Sequence, residues 1–165
     1  MRVLGVDTSL RSSGVAVVEE RGSTLVAVDY GTITISPGRP LSDCLKCLHE
    51  GLVRLIERHR PEQAALEGVF YFKNVKTAAT LAHARGVAIA VCALAGLPVF
   101  EYPPRRVKQA VVGYGAAEKE QVRRMVMALL ALKEEPGEDA GDALAIAICH
   151  LHSRTGHKAL APKPI

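Results

Sequence analysis

The sequence has no tryptophan, only seven other aromatic residues and only four cysteines in 165 residues. Four scattered cysteines do not make the disulfide framework of a secreted domain, so we expect reduced thiols and a cytoplasmic protein. No uninterrupted apolar run reaches the about 18–20 residues of a membrane span. The first residues also lack the layout of a secretory signal. The sequence therefore predicts neither membrane contact nor export.

Apolar residues make up 48% of the chain, enough to bury a core without metal or disulfide staples. No composition break or internal repeat divides the sequence, so we expect one domain over residues 1–153 and a mobile tail over residues 154–165. The net charge of +4 is small, but residues 68–124 contain nine basic and three acidic residues, a net charge of +6. Such a segment permits binding to a polyanion without requiring it.

Hydrophobic periodicity predicts an α/β domain that begins with three strands. Apolar runs predict strands at residues 2–8, 14–19, 23–35, 63–66 and 97–102. Helical spacing predicts helices at residues 41–59, 75–95, 105–112, 117–132 and 139–152. Three antiparallel strands followed by alternating helices and strands predict a mixed five-stranded sheet flanked by helices, with the later strands added in parallel.

Four acidic residues border apolar segments, where an ionised carboxylate is costly unless something compensates it. Asp7 and Glu67 end the first and fourth predicted strands, and sites collect at the strand ends of α/β sheets. Asp139 and Asp142 share one face at the start of the last helix. Carboxylates without histidine or cysteine neighbours suit Mg²⁺ or Mn²⁺. The spacing is compatible with two-metal hydrolysis of a phosphodiester.

The same acids also allow an ordinary structural interpretation. Asp139 and Asp142 can cap a helix and complement its dipole. Asp7 can form a turn, and Glu67 can pair with a lysine. Spacing alone gives the two interpretations equal weight.

Several segments resemble one known family in their order and spacing. They are GVDTSLRSSGVAVV (5–18), ALEGVFYFKNVKTAATLAHARGVAI (65–89), LPVFEYPPRRVKQAVVGYGAAEKEQVRRMV (97–126) and DAGDALAIAICH (139–150). Together they resemble the RuvC Holliday-junction resolvases over residues 3–152. The resemblance implies an RNase H-like fold and an endonuclease that resolves four-way DNA junctions in recombination and repair.

The resemblance also implies a mechanism and partners. A homodimer would nick two symmetry-related strands, using Mg²⁺ or Mn²⁺ with two ions in each active site, and would leave 5′-phosphate ends. The family's four acidic positions fall on Asp7, Glu67, Asp139 and Asp142, which would be the metal ligands and catalytic residues. Glu138 lies outside the family's D-x-x-D pattern and is interpreted as a surface group. The expected partner is a branch-migration helicase complex of the RuvA/RuvB type.

The resemblance assigns further residues to DNA binding. Lys108 and Lys119 match family lysines that handle DNA, although a solvated lysine is the alternative for each. Phe70 matches an aromatic position whose ring would stack on or wedge between unpaired bases, with core packing as the alternative. The remaining matches are expected to contact phosphates: Lys73, Asn74 and Arg85. Independently of the resemblance, His150 and His152 are interpreted as surface residues at a helix end, with help in activating water as the alternative for one of them.

Thr8 and Ser9 stand where the family usually has Pro-Gly after the first acid. This exchange alters the backbone allowed to the turn and adds two hydroxyls near a metal-bound water. It keeps open the alternative of a junction-binding protein that does not cleave. A second alternative is an actin-like nucleotide-binding domain, whose phosphate loop begins with a similar hairpin. The 165 residues are too few for the second phosphate hairpin and adenosine site of that class.

Overall fold

The computed structural model describes residues 1–68, 74–154 and 163–165. Its strands are β1 (Arg2–Asp7), β2 (Ser12–Arg21), β3 (Thr24–Thr34), β4 (Gln63–Glu67) and β5 (Val99–Tyr102). Its helices are α1 (Leu41–His59), α2 (Val75–Leu94), α3 (Pro104–Val112), α4 (Lys119–Leu129) and α5 (Glu138–Arg154). Each of the ten segments expected from the sequence overlaps one of these elements.

The strands form one mixed sheet in the order β3-β2-β1-β4-β5. β2 pairs antiparallel with β1 and β3, whereas β4 pairs parallel with β1 and β5. The predicted mixed α/β sheet is therefore confirmed. Parallel neighbours end at the same edge, and Val6 of β1 lies beside Leu66 of β4. Asp7 and Glu67, one residue further along, thus leave the sheet side by side.

Separate apolar cores cover the two faces of the sheet. One core joins Val3 and Ala65 to α3, α4 and α5, and the other lies beneath α1 and α2. Successive side chains of a strand point to opposite faces. Asp7 therefore lies on the same face as Val3, and Glu67 lies on the same face as Ala65. Both acids face the side of the sheet that α5 covers.

Two glycines allow α5 to pack directly on the main chains of β1 and β2. An ideal Cβ on Gly5 would lie closer than 3.0 Å to the carbonyl oxygen of Ala143, and one on Gly14 would lie closer than 3.0 Å to the carbonyl of Asp139. Only glycine permits so close an approach. The first two turns of α5, with Asp139 and Asp142, are consequently held against these strands.

Helix α2 is more apolar than the sequence analysis expected. Among the described residues it is the one helix whose length and composition would let it cross a membrane, with 20 residues, a mean hydropathy of 1.5 and 28% of that stretch buried. Lys76 and Arg85 interrupt it, so the expectation that no uninterrupted apolar run reaches this length is not contradicted. The buried residues of α2, which include Ala84, Ala88 and Val91, pack beneath the sheet.

The C-terminal end of the chain is described in part. Helix α5 continues to Arg154, and residues 155–162 lie outside the described part. Within it, the amide of Ile165 donates a hydrogen bond to the carbonyl oxygen of Val99 on β5, at 2.9 Å. The domain limit at residue 153 and the mobility of the tail stay predictions.

Candidate active site

Four carboxylates come together where β1, β4 and the first turn of α5 meet. Asp7 and Glu67 are contributed by the two neighbouring strand ends, and Asp139 and Asp142 by one face of α5. Each of the four is partly exposed. The structure thus brings together the four acids that the sequence singled out, in a group that solvent and a substrate can reach.

The acids influence one another's protonation. Burial, followed by the charges of Glu67, Asp142 and Asp139, raises the pKa of Asp7 from 3.8 to about 7. Burial and the charge of Asp142 also raise the pKa of Glu67. Burial is the main cause that raises the pKa of Asp142. A cation beside these groups would favour their ionised forms, because opposite charge lowers a carboxyl pKa.

Two lysines supply positive charge to this group. The ammonium of Lys119, at the start of α4, lies 3.7 Å from Asp142 Oδ2 and 2.6 Å from Glu138 Oε1. The charge of Lys108, on α3, partly offsets the rise in the pKa of Glu67, after the larger offset from Lys119. Both lysines predicted to handle DNA therefore border the carboxylates. Glu138 is exposed, as expected of a surface group, but it also holds Lys119 at the rim of the site.

The loop after Asp7 is held by a serine that the sequence analysis did not single out. The buried hydroxyl of Ser13 donates to the carbonyl oxygen of Ser9 at 2.5 Å and accepts from the amide of Ser9 at 3.0 Å. These two hydrogen bonds close the loop that carries Thr8 and Ser9. A side-chain clamp thus fixes the turn in a chain that lacks Pro-Gly at this point.

Two further residues of β2 support the site and were missed by sequence reasoning. The hydroxyl of Ser12 donates a hydrogen bond to Asp139 Oδ2. Gly14 contacts the main chain of the same residue. A signal for Gly14 was present in the sequence, because glycine within a strand often marks a close approach of another backbone. No comparable sequence signal marks Ser12, since its partner lies 127 residues away.

The donor set fits a hard divalent cation. Asp7, Glu67, Asp139 and Asp142 offer only carboxylate oxygens, the ligands that Mg²⁺ and Mn²⁺ prefer. Bound there, such an ion would supply Lewis-acid activation of water and phosphate. Within residues 1–68, 74–154 and 163–165, no three acidic, histidine or cysteine side chains are already arranged to hold a metal ion.

Arg85 has a different environment from the one expected of a phosphate contact. Its side chain is buried, and its guanidinium donates to the carbonyl oxygen of Glu67 and to Glu101, each at 2.5 Å. The interpretation of Arg85 as a phosphate ligand rested on the family resemblance and on its charge, and it stays a prediction. In the structure Arg85 ties α2 to the ends of β4 and β5 and holds the main chain of Glu67.

The other residues assigned to DNA are placed as follows. Asn74 caps α2, and its Oδ1 accepts hydrogen bonds from the amides of Lys76 and Thr77. It is exposed, so its DNA contact stays a prediction. Phe70 and Lys73 lie outside the described residues.

The interpretation of His150 as a surface residue is wrong. Its ring is fully buried. Nδ1 lies 2.7 Å from the hydroxyl oxygen of Tyr102, and Nε2 lies 2.6 Å from Gln63 Oε1. Because the Gln63 oxygen can only accept, Nε2 carries the proton and Nδ1 accepts from Tyr102. Burial lowers the pKa of His150 to about 4. His152 is exposed, as expected, and its Nδ1 lies 2.9 Å from the carbonyl oxygen of Ala110.

The family model that matches this chain and two similar known proteins carry the same description. The model of the family described as "Crossover junction endodeoxyribonuclease RuvC" matches residues 3–150. A protein of that name from Pelotomaculum thermopropionicum is 46% identical over 164 residues, which cover 99% of this chain and 100% of the relative. One from Trichlorobacter lovleyi is 49% identical over 153 residues, which cover 93% of this chain and 86% of the relative.

A solved structure agrees with these sequence matches. RuvC of T. thermophilus, in complex with a Holliday junction substrate, superimposes with a TM-score of 0.92 and 32% identity, over 100% of this chain and 99% of that chain. This similarity confirms the RNase H-like fold. Because the family match and the relatives both span nearly the whole sequence, the chain belongs to the RuvC family of crossover junction endodeoxyribonucleases.

Proposed function

We propose that this chain resolves Holliday junctions by metal-dependent hydrolysis of phosphodiester bonds, with Asp7, Glu67, Asp139 and Asp142 as the metal ligands and catalytic residues. Its family is that of a metal-dependent endonuclease acting in recombination and repair. We assign these residues because their four carboxylates lie together at one edge of the sheet, on the face that α5 covers. Water attacks the phosphorus, the bond to the 3′ oxygen breaks, and the products are a 3′-hydroxyl and a 5′-phosphate.

Mg²⁺ or Mn²⁺ is the proposed cofactor, with two ions in each site. The all-oxygen donor set supports a hard cation. Four carboxylates exceed what one ion needs from the protein when it also keeps water and phosphate ligands, and two-metal sites stabilise both the attacking and the leaving oxygen. Burial and neighbouring carboxylates raise the pKa values of both Asp7 and Glu67, which supports a role for added positive charge.

The basic residues around the acids support DNA as the substrate. Lys108 and Lys119 border the carboxylates and are proposed to bind the phosphates on either side of the cleaved bond. Asn74 is exposed at the N-terminus of α2, where amide groups also favour an anion. Phe70 and Lys73 retain their proposed roles in base stacking and phosphate binding from the family resemblance alone.

A homodimer is the proposed assembly, with α2 at the interface. This helix is apolar and largely exposed, and its terminal residues Val75 and Leu94 are 82% and 85% exposed. Gly86 lies on its open side, where an ideal Cβ would have no heavy atom of another described element within 4 Å. Small residues there would let two helices approach closely. Light scattering should give twice the 17.7 kDa chain mass, and Gly86→Leu should lower it towards the monomer.

Two proposals concern the surroundings of the enzyme in the cell. A branch-migration helicase complex of the RuvA/RuvB type is the proposed partner, on the strength of the family resemblance, and co-purification with such a complex on junction DNA tests it. The cytoplasm is the proposed location. The four cysteines are unpaired, which is the usual state in a reducing compartment.

A cleavage assay on a synthetic four-way junction tests the proposed function. Labelled junctions are incubated with Mg²⁺, Mn²⁺ or EDTA, and a linear duplex of the same sequence is the control. We expect paired nicks in opposite strands of the junction, dependent on metal, with ends that a ligase can reseal. Intact strands under both ions, with folded protein bound to the junction, would support the non-cleaving alternative instead.

A further inference from the structure

Ser12 and Asp139 form a hydrogen bond that links the start of β2 to the first turn of α5. The Ser12 hydroxyl donates to Oδ2 of Asp139. An ionised carboxylate can only accept, so the direction of this bond is fixed by chemistry whenever Asp139 is charged. The bond therefore engages one named oxygen of this acid, Oδ2.

The surrounding geometry shows that this bond is built into the fold. Ser12 is partly buried on the face of β2 that α5 covers, because side chains of alternate residues share a face and Gly14 is two residues further along. Gly14 lies against the main chain of Asp139. Strand β2 thus fixes Asp139 twice, once through its main chain and once through its carboxylate.

The neighbouring acids are held in other ways. Asp142 lies 3.7 Å from the ammonium of Lys119, and the main chain of Glu67 accepts a hydrogen bond from Arg85. Ser12 supplies to Asp139 a neutral donor that brings no competing positive charge to the site. An oxygen held by such a donor presents its remaining lone pairs in a fixed direction, as outer-sphere hydrogen bonds do for metal ligands generally.

We propose that Ser12 is a positioning residue that orients the Asp139 carboxylate for binding a divalent metal ion. This inference rests on the proposed function, which makes Asp139 a metal ligand. The hydroxyl holds Oδ2 and so restrains the rotation of a carboxylate whose charge acts on both Asp7 and Asp142. Removing the hydroxyl frees the carboxylate to rotate. Metal binding is then weakened by the entropy lost when the carboxylate is ordered.

Ser12→Thr and Ser12→Val are the matched variants for this proposal. Both carry a β-branched side chain suited to a strand, and they differ only in a hydroxyl against a methyl group. Mn²⁺ is titrated into the metal-free protein without DNA, and free Mn²⁺ is followed by electron paramagnetic resonance. We expect Ser12→Val to bind Mn²⁺ about 10-fold more weakly than wild type, and Ser12→Thr to bind within about 2-fold of it.

A second readout separates positioning from a general structural role. If Ser12 acts through the metal, Ser12→Val needs more Mn²⁺ for half-maximal junction cleavage but reaches a near wild-type rate at saturating Mn²⁺. Thr34→Val, on the exposed position of β3 that pairs with Ser12, is the control and should leave Mn²⁺ affinity unchanged. Equal Mn²⁺ affinities for Ser12→Val and Ser12→Thr, or a rate loss that Mn²⁺ does not restore, would overturn the proposal.

Asp139→Asn distinguishes this proposal from the proposed function. If Asp139→Asn weakens Mn²⁺ binding and Ser12→Val does not, Asp139 is a ligand and the role given to Ser12 is wrong. If neither variant changes Mn²⁺ binding, the assignment of Asp139 to the metal site fails, and the inference about Ser12 fails with it.

Discussion

Replacing Gly14 with alanine should move the first turn of α5 and damage the site without touching any acid. The new Cβ would lie closer than 3.0 Å to the carbonyl carbon and oxygen of Asp139, whereas ordinary contacts begin at 3.4 Å. Both obstructing atoms belong to a helix main chain, so no side-chain rotation relieves the clash. Helix and strand must therefore separate by on the order of 1 Å, an overpacking that costs about 1–3 kcal/mol.

These values translate into two measurable losses. For a chain of this size, 1 kcal/mol lowers the Tm by about 2–4 °C, so Gly14→Ala should melt about 2–12 °C below wild type. A displacement of on the order of 1 Å between catalytic groups costs about 100-fold in rate. We therefore expect junction cleavage by Gly14→Ala to fall by about 100-fold at a temperature where the variant is folded.

Gly31→Ala on β3 is the matched control. Apart from Gly31 and its two chain neighbours, no described residue has a heavy atom within 4 Å of an ideal Cβ at Gly31, and its φ is not in the left-handed region. The control should keep the wild-type Tm and rate. If Gly14→Ala also kept both, the close packing of β2 on α5 would not be what positions Asp139.

Three further predictions concern charge and burial. In metal-free buffer the pKa of Asp7 is about 7 in the folded protein, against 3.8 in the unfolded chain. The folded protein therefore binds more protons between these two values, and wild-type stability falls as the pH rises from the lower to the higher. The Tm of Asp7→Asn relative to wild type should therefore be higher at pH 8 than at pH 5, and an equal difference at both would refute this. Lys119→Met removes the ammonium beside Asp142, so the cleavage rate should fall by about 100-fold. Because Lys119 is exposed, the Tm should change little. An unchanged rate would contradict the role of Lys119 in binding phosphate. His150→Phe removes the ring nitrogen that accepts a hydrogen bond from Tyr102, so the free energy of unfolding, measured in urea, should fall by about 1–3 kcal/mol. An unchanged urea midpoint would show that this buried bond is not needed for stability.

The order of the elements was predictable because local signals agree with the fold. Alternating apolar residues predicted the strands, and leucine spacing together with a following proline predicted α1. Helix α4 is shorter than expected at both ends. A capping box between Glu118 and Gln121 makes it begin at Lys119, and it ends before Ala131, which has a φ of 49°. Cap geometry of this kind is weakly encoded in hydrophobic periodicity.

The acids of the site were predictable for a similar reason. Asp7 and Glu67 follow apolar strands, so the parallel pairing of those strands was enough to bring them together. Asp139 and Asp142 are three residues apart on one helix. Their placement needed only the helical period and a helix start.

The supporting residues were not predictable, because their partners are distant in sequence. His150 was interpreted as a surface residue from its position near a helix end, but α5 has buried residues as far as Ser153. Arg85 lies in the middle of an apolar helix, and only the tertiary structure brings it to Glu101. Ser12 gains its significance from contact with α5, which hydrophobic patterns do not specify.

The most direct test of the account is a junction-cleavage assay of five variants at the same set of metal concentrations. In each variant one carboxylate is replaced by its neutral amide. Asp7→Asn, Glu67→Gln, Asp139→Asn and Asp142→Asn each remove one proposed ligand, and Glu138→Gln removes a neighbouring acid that is not one. We predict that the first four bind the junction but do not cut it, while Glu138→Gln cuts it. Wild-type cleavage by any of the four, or an equal loss in Glu138→Gln, would contradict the assignment of the four carboxylates to one metal site.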